Sequence, residues 1–347
     1  MEIGAYSFGD TQFDSNGTQT DTAAAIRNLH EAILHADAVG LDYFGIGEHH
    51  TMSMPASSPG AVIAAAAAAT KQITLGSASS IISTDDPVRV YQQFATADAV
   101  SGGGRVEITA GRGSSVETFP LFGHSLEDYD RLYAEKLDLL MRINASDEFV
   151  TWSGSVRPDL ENLAVVPRPA AGRLPIWLAT GGSPGSSARA GQLGLPISYG
   201  IIGGAPHRFA PLAELFRKSA AQAGHSQESM KVSVAALGLV APNKQEALDR
   251  MYQGWYNLNV EMGRRRGWPE PDKNAYFAQA EAPGAYYVGD PDEVAERIVH
   301  LHGYMGHTRH FLQMDIGGLP QEHYLESLTL LATEVKPRVE RLLARQR

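Results

Sequence analysis

Short apolar runs alternate with longer amphipathic stretches along nearly the whole chain, and this alternation constrains the fold more than any single motif. A strand buried on both faces reads as an almost continuous apolar run, whereas the helix that crosses back over it shows a 3.6-residue period. Runs of the first kind are Ile3–Phe8, Leu41–Ile46, Ile73–Ala78, Val106–Ala110, Pro175–Ala179, Pro196–Gly200, Val232–Val240 and His310–Met314. Helical patterns follow at Thr20–Val39, Pro59–Thr70, Pro87–Val100, Leu126–Ile143, Pro184–Leu193, Pro206–Ala223 and Gln321–Leu343, and the first of these puts Ile26, Leu29, Ile33 and Ala36 on one face. Asp86-Pro87 and Asp290-Pro291 each supply an N-cap and a first-turn proline, and Glu293 completes a capping box. Eight strand–helix units in 347 residues predict an α/β fold, a (β/α)8 TIM barrel with inserted loop segments, forming one domain over residues 1–347. An open doubly wound sheet fits less well, because no glycine fingerprint follows the first strand. Two stretches break the rhythm. Residues 147–168 read as a small hairpin, and Lys244 to about Ala282 reads as one long aromatic-rich helical segment.

Composition enters mainly by exclusion. The chain has no cysteine, which removes disulfides, thiolate catalysis and cysteine-ligated metals. A net charge of -10 argues against nucleic acid and anionic membrane surfaces as partners, and the short cluster Arg264-Arg265-Arg266 reads as a solvated helix end. The N-terminus has neither the basic nor the apolar region of a signal peptide. The apolar tract Ala61–Ala69 falls short of the ~20 residues that span a bilayer. A soluble, cytoplasmic protein is expected.

In a barrel of this kind the active site is built from the loops after the strands. Glu48, His49 and His50 follow the second strand, "GRGSS" (111–115) the fourth and "TGGSPGSS" (180–187) the fifth. The last combines glycines that permit a backbone nest, serine hydroxyls and a helix start with free N–H groups, all suited to a phosphate monoester. Arg112 would add a fixed, fork-shaped positive charge, unless a local carboxylate engages it. No Gly-Lys-Ser/Thr follows, so this is not a P-loop. Neighbouring strand residues face opposite ways, so His49 and His50 converge on one metal only beyond the strand end, and other ligand candidates are few; no metal is expected. His49 is then either a proton-transfer group at the mouth or a histidine that satisfies nearby carbonyls.

Four stretches in this order, "GLDYFGIGEHH", "ITLGSASSIISTDDPVRVYQQFATADAVSGGGRVEITAGRG", "PIWLATGGSPGSSARAGQLGLP" and "VGDPDEVAERI", resemble the bacterial-luciferase-like flavin-dependent monooxygenases, collinearly over nearly the whole chain. The resemblance implies that Arg112, Gly182, Ser183, Gly185 and Ser186 hold the FMN phosphate, that Ala78 and Ser79 form a non-proline cis peptide beneath the flavin ring, and that Thr180 lies near the isoalloxazine. It implies His49 as the active-site histidine, Glu48 as the group that orients it or braces its loop, and His50 as a supporting residue. It further implies reduced FMN supplied by a separate flavin reductase, O2 adding at flavin C4a to give a hydroperoxide, a small organic substrate and a homodimer, for which the alanine-rich helix would allow close approach. Departures from the family pattern are three glycines rather than two before Arg105, and Pro184 inside the phosphate loop. Residues 244–285, with Trp255, Tyr256, Trp268, Tyr276 and Phe277, follow no family pattern; they are packing or a lid over the mouth. Hydride transfer with deazaflavin F420 on the same fold, a flavin-binding member without turnover, and a zinc-dependent barrel hydrolase are the alternatives.

Overall fold

The protein is described by a computed structural model covering residues 1–12, 18–113, 117–267 and 269–346. Eight parallel strands close on themselves in chain order: β1 (Glu2–Ser7), β2 (Tyr43–Ile46), β3 (Thr74–Ser77), β4 (Val106–Gly111), β5 (Ile176–Thr180), β6 (Ile197–Ile201), β7 (Val232–Val240) and β8 (Arg309–Gln313). β8 pairs with β1 through Arg309↔Glu2, and β6 pairs with β7 through Ile197↔Val232, which closes the barrel. Every residue of β7 is buried; its first part joins β6 and β8, and its last three residues pair outside the barrel with Tyr287–Gly289.

The surrounding helices are α1 (Thr22–Val39), α2 (Pro59–Ala69), α3 (Pro87–Val100), α4 (Tyr129–Ala145), α5 (Pro184–Leu193), α6 (Ala210–Gln222), α7 (Lys244–Arg266), α8 (Lys273–Ala280), α9 (Pro291–Met305), α10 (Gln321–Leu330) and α11 (Lys336–Ala344). Their caps follow the sequence signals. The Asp86 carboxylate accepts from Val88 N–H, Asp290 accepts from Asp292 and Glu293, and Gly40, Gly194 and Gly306 end their helices in the left-handed region. Phe149–Trp152 and Leu160–Ala164 form the expected hairpin.

The segment after β7 differs from the single helix expected. It divides at Gly267, whose φ of 70° leaves the helical region, and Pro269 and Pro271 lack the N–H groups that would carry the helix across. α8 then starts at its own Asp272 cap. Trp268 and the side chains of Arg265 and Arg266 lie outside the described residues, whereas Arg264 is exposed. The closing helix is also interrupted. A π-turn, Leu331–Val335, joins α10 to α11 just before Pro337, whose ring removes one donor from the ladder.

The apolar interior has two parts. A large one lies between sheet and helices, and a small one of Tyr6, Tyr43, Ala235 and Phe311 fills the lumen. Below that, Arg309 plugs the foot of the barrel. It pairs with Glu107 at 2.6 Å and with Glu2, and its guanidinium sits 4.2 Å from the Tyr43 ring centre and 4.8 Å from that of Trp177. Glycine is needed around Tyr43, since a Cβ at Gly76 would stand 2.6 Å from its hydroxyl.

Candidate active site

Above this plug the mouth holds a cavity of about 300 Å³ lined by residues of all eight strands or the loops after them. β4 ends in Gly111-Arg112. A Cβ at Gly111 would fall 2.1 Å from Ser79 Oγ, so only glycine lets β4 pass the loop after β3. Arg112 then reaches across to the start of α5, where Nη2 donates to Ser186 Oγ at 3.2 Å, while Nη1 contacts the exposed Asp130 at 3.3 Å. Tyr129 and Tyr133 flank the guanidinium at 5.4 and 5.9 Å. Burial raises the pKa of both tyrosines, so they face the cation as neutral phenols. The phosphate-type donors predicted on two separate loops thus converge, and Arg112 also meets a local carboxylate.

The loop before α5 is tied down from within. Thr180 Oγ1 accepts from the N–H groups of Gly182 (3.3 Å) and Ser183 (3.2 Å), and Ser183 Oγ caps the helix by accepting from Ser186 N–H. Pro184 occupies the first helical position, where an N–H would have no intrahelical partner, so it removes no helix bond. A Cβ at Gly181 would meet nothing within 4 Å, which marks open space above the loop. A guanidinium, a hydroxyl and the positive end of a helix around an open concavity match the chemistry of a phosphate monoester.

The floor is formed where β3 ends. The Ala78–Ser79 peptide is cis, as expected. It is held on both sides: Ala78 N–H donates to Ile46 O at 2.7 Å, and Glu48 N–H donates to Ser79 O at 3.2 Å. The buried Glu48 carboxylate accepts from Ile81 N–H at 2.7 Å and faces His50 Nε2 at 3.0 Å. The Glu48 carboxylate thus ties its own loop to the loop after β3, and the ring that it faces is that of His50. His49 lines the cavity, with its ring edge-on to Phe8 at 4.6 Å, and its backbone N–H donates to Ala56 O. His50 turns away towards Phe122. Among the described residues, no group of three or more His, Asp or Glu stands ready to hold a metal ion.

The three glycines before Arg105 lie at the other end of β4, all with positive φ, and leave Arg112 untouched; Arg105 itself donates to Ile73 O and Thr70 O. In and just after the segment that follows β7, Trp255, Tyr276, Tyr286 and Tyr287 are buried, with Trp255 Nε1 donating to the Tyr286 hydroxyl, and among the described residues of 244–285 none lines the cavity. These aromatics pack. Tyr6, Phe8, Phe311 and Tyr129 do line it and were not singled out from sequence. Tyr6 and Phe8, two apart at the carboxyl end of β1, were the available signal.

The closed barrel thus gathers a guanidinium, a helix start and a histidine around one open mouth. Residues 1–308 match the luciferase-like monooxygenases, and the chain belongs to that family. It is an oxidoreductase. A curated relative, the 4-hydroxyprotoasukamycin monooxygenase of Streptomyces nodosus subsp. asukaensis, is 28% identical over 315 residues, covering 87% of this chain and 84% of its own. Among solved structures, the oxygenating constituent of 3,6-diketocamphane monooxygenase from Pseudomonas putida, in complex with FMN, superposes with a TM-score of 0.76 at 20% identity over 98% of both chains. An F420-dependent secondary alcohol dehydrogenase superposes with a TM-score of 0.72 at 19% identity, covering 97% of this chain and 98% of its own.

Proposed function

We propose that the protein is an FMN-dependent monooxygenase that acts as one domain on a small organic substrate, drawing reduced FMN from a separate reductase. The observation that carries this reading is the meeting of Arg112 with Ser186 at the start of α5, beside the braced Ala78–Ser79 peptide. Arg112, Gly182, Ser183, Gly185 and Ser186 hold the phosphate, Ala78 and Ser79 support the ring, and Thr180 shapes the loop near it. Reduced flavin supplies the reaction with O2 when bound. The chain's own part is to orient that ring, exclude water and move a proton at His49, with Glu48 keeping the loop in place. A homodimer through the alanine-rich face of α2 and a cytoplasmic setting complete the proposal.

Hydride transfer with F420 is the second reading, supported by the likeness to an F420-dependent enzyme at almost the same TM-score. Anaerobic titration with reduced FMN and, separately, reduced F420, followed by admission of air, separates the two. Tight reduced FMN that consumes O2 supports the monooxygenase. Tight F420 without O2 consumption replaces it with the dehydrogenase-type reading.

A further inference from the structure

The cavity has a second wall, opposite the anion cradle. Three rings stand edge to face in one row on β8 and β1: Phe311 against Tyr6 at 5.3 Å, and Tyr6 against Phe8 at 5.8 Å, with His49 next in line. Gly47 makes the row possible, because a Cβ there would sit 2.1 Å from the Phe8 ring. Beside this row, on the next strands around the barrel, the lining residues are small: Ala235 of β7, which pairs in register with Phe311, and then Ser198 and Gly200 of β6. A Cβ at Gly200 would meet only Thr180 O, at 3.9 Å, so the space beside this strip is open.

Charge is distributed unevenly around that space. Among the described lining residues Arg112 is the only fixed cation, and it stands at the cradle, engaged by Ser186 and Asp130. The Glu48 carboxylate adds negative charge, and burial raises the pKa of Tyr6, which keeps its hydroxyl neutral. An anion entering against the ring row and the small strip would lose hydration without gaining a counter-charge. A flat neutral molecule would gain ring-edge and stacking contacts instead.

We infer that the side of the mouth lined by the Phe311–Tyr6–Phe8 row and the adjoining Ser198–Gly200–Ala235 strip is the substrate pocket, and that it selects neutral ring compounds, aromatic or alicyclic, against sulfonates and carboxylates. That the cofactor takes the opposite wall rests on the reading proposed above.

The test is equilibrium dialysis of the full chain, free and loaded with FMN, against 2-naphthol and 2-naphthalenesulfonate, which share a ring system and differ in charge. The expected result is naphthol binding at least ~10-fold tighter than the sulfonate, a difference on the scale of one unpaired buried charge. Ala235→Phe, which fills the strip, should weaken naphthol by a similar factor while FMN still binds; Phe8→Leu, at the far end of the ring row, should weaken it less. Sulfonate binding as tight as naphthol, or neither probe binding to either form, overturns the inference, and undiminished naphthol binding by Ala235→Phe overturns the location. Naphthol selectivity in a protein that fails to bind FMN leaves this inference standing and removes the flavin reading instead.

Discussion

At the foot of the barrel the lumen is filled by Arg309, clamped between Tyr43 and Trp177 and paired with Glu107 and Glu2. At the mouth three of the same inward-facing columns end in small residues and leave a cavity. Going up one strand, Glu107 gives way to Thr109 and Gly111; on others, Trp177 gives way to Ala179, and Tyr43 to Gly45 and Gly47. Strand alternation sends every second residue inward at both ends. Side-chain size and charge pairing decide what each end becomes. The foot commits its polar groups to one another, whereas the mouth presents Arg112, His49 and the α5 start towards open space. The comparison teaches that stability and ligand recognition are separable here, and both ends offer ways to break that separation.

The largest effect is expected from Arg309→Met. It leaves the Glu107 carboxylate, whose side chain is 13% exposed, without its cation, and should cost about 3–5 kcal/mol in urea unfolding. FMN affinity of the folded fraction should hardly change; a matching collapse of FMN binding would show that the two ends are coupled. Arg112→Met is the converse. Its side chain is 27% exposed and its carboxylate partner 82% exposed, so stability should move by about 0.5 kcal/mol or less. Loss of a charged hydrogen-bond donor should weaken FMN roughly 10–100-fold in a fluorescence titration. An Arg112→Met protein that unfolds instead would make the arginine structural.

The two ends also titrate in opposite senses. At the foot of β8, His307 and His310 are buried against each other, 3.2 Å apart, and burial pushes both below the usual imidazole range, His310 to about 3. The unfolded chain then binds more protons, so this pair loses stability as pH falls below ~6.5. Beyond the carboxyl ends of β1 and β8, Asp10 and Asp315 are buried near one another; burial raises both, Asp315 to about 6. Here the folded state holds the extra protons, so stability is lost as pH rises from ~3.9 through that value. Thermal unfolding across pH 4–8 should show His310→Phe less acid-sensitive than the wild type, and Asp315→Asn losing less between pH 4 and 7. Parallel curves for all three proteins would contradict the assignment. The smallest effect is expected from Glu48→Gln, which keeps an acceptor for Ile81 N–H but loses the charge facing His50. It should cost about 0.5–1.5 kcal/mol.

The barrel was legible because parallel strands and their crossover helices differ in period, and because Asp86-Pro87, Asp290-Pro291 and the closing glycines mark helix ends by local chemistry. Arg112 and the α5 start were legible too, as short loops tied to strand ends, whereas the Ala78–Ser79 cis peptide was legible only through the family resemblance. The foot was not. Arg309 and Glu107 lie 202 residues apart, and no periodicity announces their pairing. Tyr6 and Phe8 were missed because β1 is buried on both faces, so alternation alone does not say which side is the lumen. Glu48 was left with two roles because the choice between His49 and His50 is one of rotamer and turn geometry. The break at Gly267 was readable, with Pro269 and Pro271 just beyond it, and the arginine cluster before it does read as a helix end, although the helical pattern was carried on to about Ala282.

The most direct test of the central claim is to titrate reduced FMN and reduced riboflavin, which lacks the phosphate, into the wild type and Arg112→Met. A cradle formed by Arg112, Ser186 and the α5 start predicts that the wild type prefers FMN by roughly 10–100-fold, and that most of this preference disappears in the variant. Equal affinity of the wild type for the two flavins would contradict the claim that the mouth of this barrel is built around a phosphate.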